Sequence, residues 1–195
     1  MHSWTQIDLA GPTISIPMLP DRFMTFSCVA TLTNRQLADV IGIVVYVSPV
    51  RFLPSTNRNT PCREVVLMNN RWEFICLRIW DKHVSRHMMK WRRAEQDMSI
   101  LSAILFEVST AQWALKSTDN NSQLVFDPDT LLAYYDLASF RQTLRPAYNV
   151  STLKRVRAFV RQRLKMGLYV NLRIWKGFKS GRLALVDSNM SLGAL

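Results

Sequence analysis

The apolar and polar positions along the chain predict a mainly β domain in its first two thirds. Residues 39–49 form a β-branched run that ends in a Ser-Pro pair, which predicts a long buried strand. Gly42 inside this run marks a bend or a close approach of another chain segment. Two more strands are predicted at 62–68 and 71–80, joined by a tight Asn-Asn turn. Before this three-stranded meander we expect one strand at 23–29, in an otherwise extended lead-in.

The segment after the meander completes a five-stranded layout. The pattern predicts a helix at 82–97, an apolar strand at 100–108, a polar loop at 109–121 and a short strand at 123–126. Three strands, a helix and two strands make the layout of an oligonucleotide-binding (OB) fold. Such a barrel binds its ligand over strands 2 and 3 and over the loops that join strands 1 to 2 and 4 to 5.

The predicted helix has one apolar stripe. Val84, Met88 and Trp91 recur at the i, i+4 and i+7 spacing of a single helix face. Lysine and arginine residues occupy the opposite side. We therefore expect the stripe to plug one end of the barrel.

The third strand has the most informative pattern, because successive side chains point to opposite faces of a strand. Glu73, Ile75, Leu77 and Ile79 share the better core face, and the other face has Trp72, Phe74, Cys76, Arg78 and Trp80. Arg78 next to Trp80 combines a cation with a large π surface, as a nucleic-acid stacking surface requires. In the alternative, which stays open, the aromatic residues fill a second hydrophobic layer.

Positive charge is concentrated in the C-terminal part of the chain. The 195 residues include 25 Lys and Arg and 14 Asp and Glu, giving a net charge of +11 and a pI near 10.1. Residues 137–186 hold twelve basic residues and no acid, so the remainder has 13 basic against 14 acidic residues, a net −1. A polyanion is therefore the expected partner, and the tail is the expected electrostatic contact.

Composition excludes several classes of protein. With 48% hydrophobic residues the chain is neither disordered nor collagen-like. Its longest apolar run is well below the roughly 18 residues of a membrane span, and its start lacks the shape of a signal peptide. We therefore expect a soluble intracellular protein that contacts no membrane.

Motifs for metal binding and catalysis are missing from the sequence. The chain has three cysteines, Cys28, Cys62 and Cys76. Because the number is odd and no Cys-x-x-Cys pair occurs, we expect reduced, mostly buried thiols. His83 and His87 lie four residues apart, but no third ligand has zinc-like spacing. The sequence has no P-loop, paired carboxylates or Ser/His arrangement. We expect no metal, no cofactor and no enzymatic activity.

Several segments in a fixed order resemble one family. They are Asp39-Val-Ile-Gly-Ile-Val, Arg63-Glu-Val-Val-Leu-Met, Leu77-Arg-Ile-Trp80, Val108-Ser109, Asp127-Pro128-Asp129 and Leu131-Leu-Ala-Tyr-Tyr-Asp136. Together, residues 37–136 resemble the second DNA-binding domain of the large subunit of replication protein A. The resemblance covers half to two thirds of the chain and implies a nuclear protein that binds single-stranded DNA, with other replication protein A-type subunits as possible partners.

The resemblance also implies site residues. Trp80 matches the family's stacking aromatic at the end of the third strand. The family has a second stacking aromatic in the loop after the fourth strand, and Trp113 lies slightly later in the sequence than that position. Either a shifted loop brings Trp113 to the same place, or the second stacking position is degraded. Phosphate contacts are implied for Arg51, Arg58 and Arg63. Arg78, from the strand pattern, and Lys116, in the predicted polar loop, are further candidates for phosphate contacts.

The expected organisation is a lead-in at 1–21, an OB domain at 22–136 and a basic tail at 137–195. The tail has a predicted amphipathic helix at 151–166, followed by a hairpin. The polar face of that helix presents Lys154, Arg155, Arg157, Arg161, Arg163 and Lys165. This face is interpreted as an accessory phosphate-binding surface; a merely solvated face and, less favoured, a membrane-surface helix are alternatives.

The leading functional hypothesis is sequence-tolerant binding of single-stranded DNA in replication, repair or recombination, by aromatic stacking and phosphate contacts. The alternative is an OB-fold module that docks partner proteins of the DNA-maintenance machinery. Loss of binding on replacing Trp80 would separate the two hypotheses, because only DNA stacking needs the indole.

Overall fold

A computed structural model describes residues 20, 22–54, 59–110, 114–118, 121–144, 154, 157 and 158. The described strands are β1 (Leu37–Val47), β2 (Arg51–Pro54), β3 (Asn59–Met68), β4 (Phe74–Trp80), β5 (Ile100–Ser109), β6 (Ala114–Lys116) and β7 (Gln123–Phe126). The helices are α1 (Phe26–Val29), α2 (Lys82–Arg86), α3 (Met88–Asp97) and α4 (Leu132–Leu144).

Five of the strands close into a barrel. The order is β1, β3, β4, β6, β5 and back to β1. β6 runs parallel to β4, and the other pairings are antiparallel. This confirms the predicted mainly β fold, a five-stranded OB barrel with helical structure between its third and fourth strands. β2 and β7 are additions, paired with β3 and β5 respectively.

The fifth barrel strand differs from the predicted one. It is β6, which lies inside the predicted loop 109–121, whereas the predicted strand at 123–126 is β7 and pairs with the β5 segment Leu101–Ile104. Residues of β6 align in parallel with distant residues of β4. Three residues are too few to show the alternation of a strand in the sequence, so only the pairing with β4 and β5 identifies β6.

The lead-in also differs from its prediction. The expected strand at 23–29 is wrong, because Phe26–Val29 form a short helix. The Thr25 hydroxyl caps it by accepting a hydrogen bond from the Cys28 N–H at 3.2 Å. The close approach predicted at Gly42 is confirmed. A Cβ at this position would lie 3.0 Å from the Leu67 Cβ and 3.1 Å from the Phe26 ring.

Two hydrophobic cores lie on opposite sides of β3 and β4. Ile75, Leu77 and Ile79 point into the barrel core, as predicted. The opposite face contributes Phe74 to a second core that includes buried residues of α4. The second-layer interpretation therefore applies to Trp72, just before β4, and to the first half of the strand. Trp72 packs edge-on against Phe140 with ring centroids 5.5 Å apart, and Phe74 and Cys76 lie in the second core. Arg78 and Trp80, at the end of the strand, lie outside this second core.

The predicted helix at 82–97 is broken at His87. This residue has φ −112° and ψ 23°, so α2 and α3 are separate helices rather than one. Val84 and Trp91 are buried as predicted, and the indole N–H donates to the His83 carbonyl at 3.2 Å. The prediction for Met88 is wrong: it is 51% exposed, because the break changes the helical register.

Within the described ranges, no three or more His, Cys, Asp or Glu side chains group in a way that could hold a metal ion. His83 Nε2 lies instead 3.3 Å from the Thr118 carbonyl oxygen. Among the same residues, no helix is long and apolar enough to cross a membrane.

The cysteines should differ sharply in reactivity. Cys28 is exposed, whereas Cys62 and Cys76 are buried, and all are free. Burial raises the pKa of Cys62 to about 11 and that of Cys76 to about 12, so few of these thiols ionise at pH 8. In a DTNB titration of the native chain we expect one thiol to react fast, and all three after denaturation. Cys28→Ser should remove the fast phase. Equal rates for all three thiols in the native chain would contradict the buried positions.

Candidate nucleic-acid interface

The ligand face of an OB barrel is the outer surface of its second and third strands, here β3 and β4. One row across this surface is set by strand register, in which Arg51 lies opposite Cys62 and Cys62 opposite Trp80. Paired residues share a face, so the three side chains point the same way. Arg51 is exposed, Trp80 is half-buried and Cys62 is buried between them. Two strand spacings separate Arg51 from Trp80 by about 10 Å. We call these three residues the binding row.

The main chain around Trp80 is fixed from two sides. Its N–H donates to the Ser117 hydroxyl at 2.9 Å, which ties the end of β4 to the residue after β6. The next N–H, that of Asp81, donates to the Pro61 carbonyl on β3 at 2.9 Å. Asp81 has a φ of 46°, the left-handed turn by which the chain leaves the sheet. The backbone of Trp80 is therefore held while the residue stays partly accessible.

A ladder of four charged residues, two cations flanked by two acids, lies next to the binding row. Glu64 is opposite Arg78, Arg78 is aligned with Lys116, and Lys116 is opposite Glu107. Arg78 Nη2 lies 3.1 Å from Glu64 Oε1, with side chains only 9% and 11% exposed. Lys116 Nζ lies 3.0 Å from Glu107 Oε1 and is 38% exposed. Arg78 thus shares a face with Trp80, as predicted, but its charge is compensated. Lys116 is more accessible.

Arg63 lies apart from the binding row. It occupies the face of β3 that also has Val65 and Leu67, both buried in the barrel core. Its guanidinium is 5.7 Å from the ring centroid of Trp91, and its buried Nε has no hydrogen-bond partner among the described residues. Burial lowers the pKa of Arg63, although a guanidinium stays protonated. The same alternation rule that grouped Arg78 with Trp80 could have separated Arg63 from them.

Two predicted contacts, Arg58 and Trp113, lie outside the described residues. By sequence position, Arg58 belongs to the segment between β2 and β3, and Trp113 to the segment between β5 and β6. These segments join barrel strands 1 to 2 and 4 to 5, the two loops that contribute to ligand binding in an OB fold. Both residues therefore stay predictions.

Beyond α4, the basic tail is described at only three positions, 154, 157 and 158. Arg157 contacts the barrel: its Nε donates to the Val45 carbonyl at 3.1 Å and lies 3.5 Å from a Glu95 carboxylate oxygen, while Nη2 donates to the Glu95 carbonyl. Lys154 is exposed. The predicted hairpin lies outside the described part of the chain. So do four of the predicted tail residues: Arg155, Arg161, Arg163 and Lys165. Arg157 therefore contacts the barrel rather than pointing away from it.

Phe52 is a surface aromatic that sequence reasoning did not select. It lies on β2 next to Arg51 and is 66% exposed. It is opposite Pro61 in the register, so it points to the other side of the β2–β3 pair from Arg51. An aromatic residue in the first loop of a predicted OB fold was a usable signal.

Comparison with known proteins agrees with the barrel. The family described as Domain of unknown function (DUF8448) matches residues 24–116, a segment that ends with β6. Among solved structures, the chain is similar to one described as "Structure and Conformational Change of a Replication Protein A Heterotrimer Bound to ssDNA", with 17% identity and a TM-score of 0.57. The match covers 66% of this chain and 30% of that chain, and at this identity it shows the fold. No curated protein matches.

Proposed function

We propose that this protein is a non-enzymatic, sequence-tolerant binder of single-stranded DNA that acts in DNA maintenance in the nucleus. One observation supports the proposal above the others: a half-buried Trp80 and an exposed Arg51 share one row of the OB ligand face. A base can stack on the indole while the guanidinium contacts a neighbouring phosphate. Neither contact depends on base identity, so sequence tolerance follows.

The charge ladder has a role in this mechanism. Because Arg78 and Lys116 pair with acids, the centre of the ligand face is nearly neutral. Stacking on Trp80 then contributes more to binding than electrostatics, and few counterions are released per strand bound. Duplex DNA should bind weakly, because its bases are not free to stack on the indole.

The relationship to replication protein A is part of the proposal. The similar structure is a heterotrimer bound to single-stranded DNA, and it shares the barrel fold of this chain. We propose that this chain is a replication protein A-like module corresponding to the second DNA-binding domain of the large subunit, and that other subunits of that type are partners. The sequence segments between Asp39 and Asp136, which follow one another in the order found in that family, support the assignment.

The test is fluorescence anisotropy of labelled oligo-dT with the full chain over a series of salt concentrations. We expect binding at low salt and no comparable binding to duplex DNA. Arg51→Ala should weaken binding and make the slope of log K against log salt shallower by about 0.7, the value for one phosphate contact on a single strand.

Arg93→Ala is the matched control, since Arg93 is also exposed but lies on α3 and not on the strands of the binding row. It should leave both affinity and slope near the wild-type values. Absence of oligo-dT binding at low salt would refute the proposed function. Equal effects of the two substitutions would refute the role of Arg51.

A further inference from the structure

The outer side of α2 and α3 is strongly basic. Residues 82–94 contain five Lys and Arg and no Asp or Glu. All five are exposed: Lys82, Arg86, Lys90, Arg92 and Arg93. In the part of the chain that the structure describes, no ion pair joins any of them to an acid. We call the exposed side of these helices the plug face.

Nearby acids do little to neutralise the plug face. The carboxylate of Glu95 is directed to the barrel, where it accepts a main-chain N–H of β1 at 3.1 Å and lies 3.5 Å from Arg157 Nε. Asp97, the last residue of α3, is the single exposed acid of these helices. The positive field also acts on His87, whose pKa is lowered by burial and then by Lys90 and Arg86.

The plug face also exposes apolar side chains. Met88 is 51% and Met89 71% exposed. An unbroken helix would place Met88 beside Val84 and Trp91 in the buried stripe, but the break at His87 turns it outward. Arg92 and Arg93 follow Met89 at i+3 and i+4, so an apolar centre lies between cations.

We propose that the plug face is a docking surface for an acidic amphipathic segment of a partner protein. Carboxylates of the segment would pair with Arg86, Arg92 and Arg93, and its apolar residues would pack on Met88 and Met89. Methionine suits this role, because its flexible and polarisable side chain adapts to ligands of different shape. Arg86, Met88, Met89, Arg92 and Arg93 lie on α2 and α3 and not on the strands of the binding row, so the protein could hold DNA and a partner together.

The observations favour a protein segment over a nucleic acid here. Base stacking needs an accessible flat ring. Trp91, the one Phe, Tyr or Trp residue of α2 and α3, is buried, and the half-buried ring of Phe126 beside it is already in contact with Trp91, His87 and Lys90. Exposed thioether chains give little to a phosphate backbone, whereas they offer apolar surface to leucine or phenylalanine. Charge complementarity selects an acidic partner, and the methionines select an apolar one.

The test compares three labelled probes by anisotropy with the full chain. They are a synthetic amphipathic peptide of Asp, Glu, Leu and Phe with apolar residues at helical spacing, a scrambled peptide of the same composition, and oligo-dT. We expect the amphipathic peptide to bind more tightly than the scrambled one. Met89→Ser, and separately Arg92→Glu with Arg93→Glu, should each weaken it by about tenfold or more and leave oligo-dT affinity unchanged.

Trp80→Ala is the reciprocal control and should leave peptide binding intact. All substituted side chains on the plug face are exposed, so the variants should keep the wild-type unfolding transition. Equal binding of the scrambled peptide would overturn the proposal, because it would show charge attraction alone. Displacement of the peptide by oligo-dT, with loss of DNA binding in the α3 variants, would assign the face to nucleic acid and also overturn it.

Discussion

Replacing Trp80 with alanine is expected to weaken oligo-dT binding by about 1–3 kcal/mol, roughly fivefold to 150-fold. The indole is the one aromatic side chain of the binding row, and its backbone is anchored to β3 and to Ser117. Removing it leaves Arg51 in place but eliminates the stacking surface. Anisotropy with the full chain at low salt measures the loss.

Two variants make that measurement specific. Trp80→Phe keeps a flat ring and should recover much of the affinity. Tyr135→Ala removes an exposed aromatic residue from α4 and should change little. Unaltered oligo-dT affinity in Trp80→Ala, with wild-type thermal unfolding, would refute stacking at this position and favour the protein-docking alternative.

Replacing Arg78 with methionine is expected to lower the free energy of unfolding by about 3–5 kcal/mol. Arg78 and Glu64 are nearly buried and lie 3.1 Å apart, so the substitution leaves a carboxylate inside without its cation. Urea denaturation of the full chain should show a lower midpoint with an unchanged m value. Oligo-dT affinity of the folded variant should change little, since the Arg78 charge is already compensated.

The matched control is Lys116→Met, which breaks the more exposed pair with Glu107. Lys116→Met should lower the free energy of unfolding by less than about 1 kcal/mol. The combined substitution Glu64→Leu with Arg78→Met should recover most of the stability, because no uncompensated charge remains. A loss for Arg78→Met as small as that for Lys116→Met would contradict the buried ion pair.

Period-two alternation was sufficient to orient β4 from sequence. It assigned Ile75, Leu77 and Ile79 to the core and placed Arg78 with Trp80 on the other face, and the structure confirms both. It could not show that Glu64 neutralises Arg78, because that depends on the register between two strands. Applied to β3, the same rule would have separated Arg63 from the ligand face.

Other features depended on contacts that no local pattern encodes. Ala114, Leu115 and Lys116 become a strand through alignment with β4, far away in sequence. Phe26–Val29 form a helix where we expected a strand, because a segment this short fits either structure. The break at His87 was missed because neither glycine nor proline marks it.

The three residues of β6 have a consequence for how the chain folds. They fill the gap between β4 and β5, and the barrel also needs β1 to pair with β5, where Leu37 meets Glu107. Contacts between such distant residues form after large losses of chain entropy, so folding should be slower than for a helical domain of this size. Until β6 docks, β4 and β5 present open edges to other chains. Self-association is therefore most favoured during synthesis, before residue 116 has emerged.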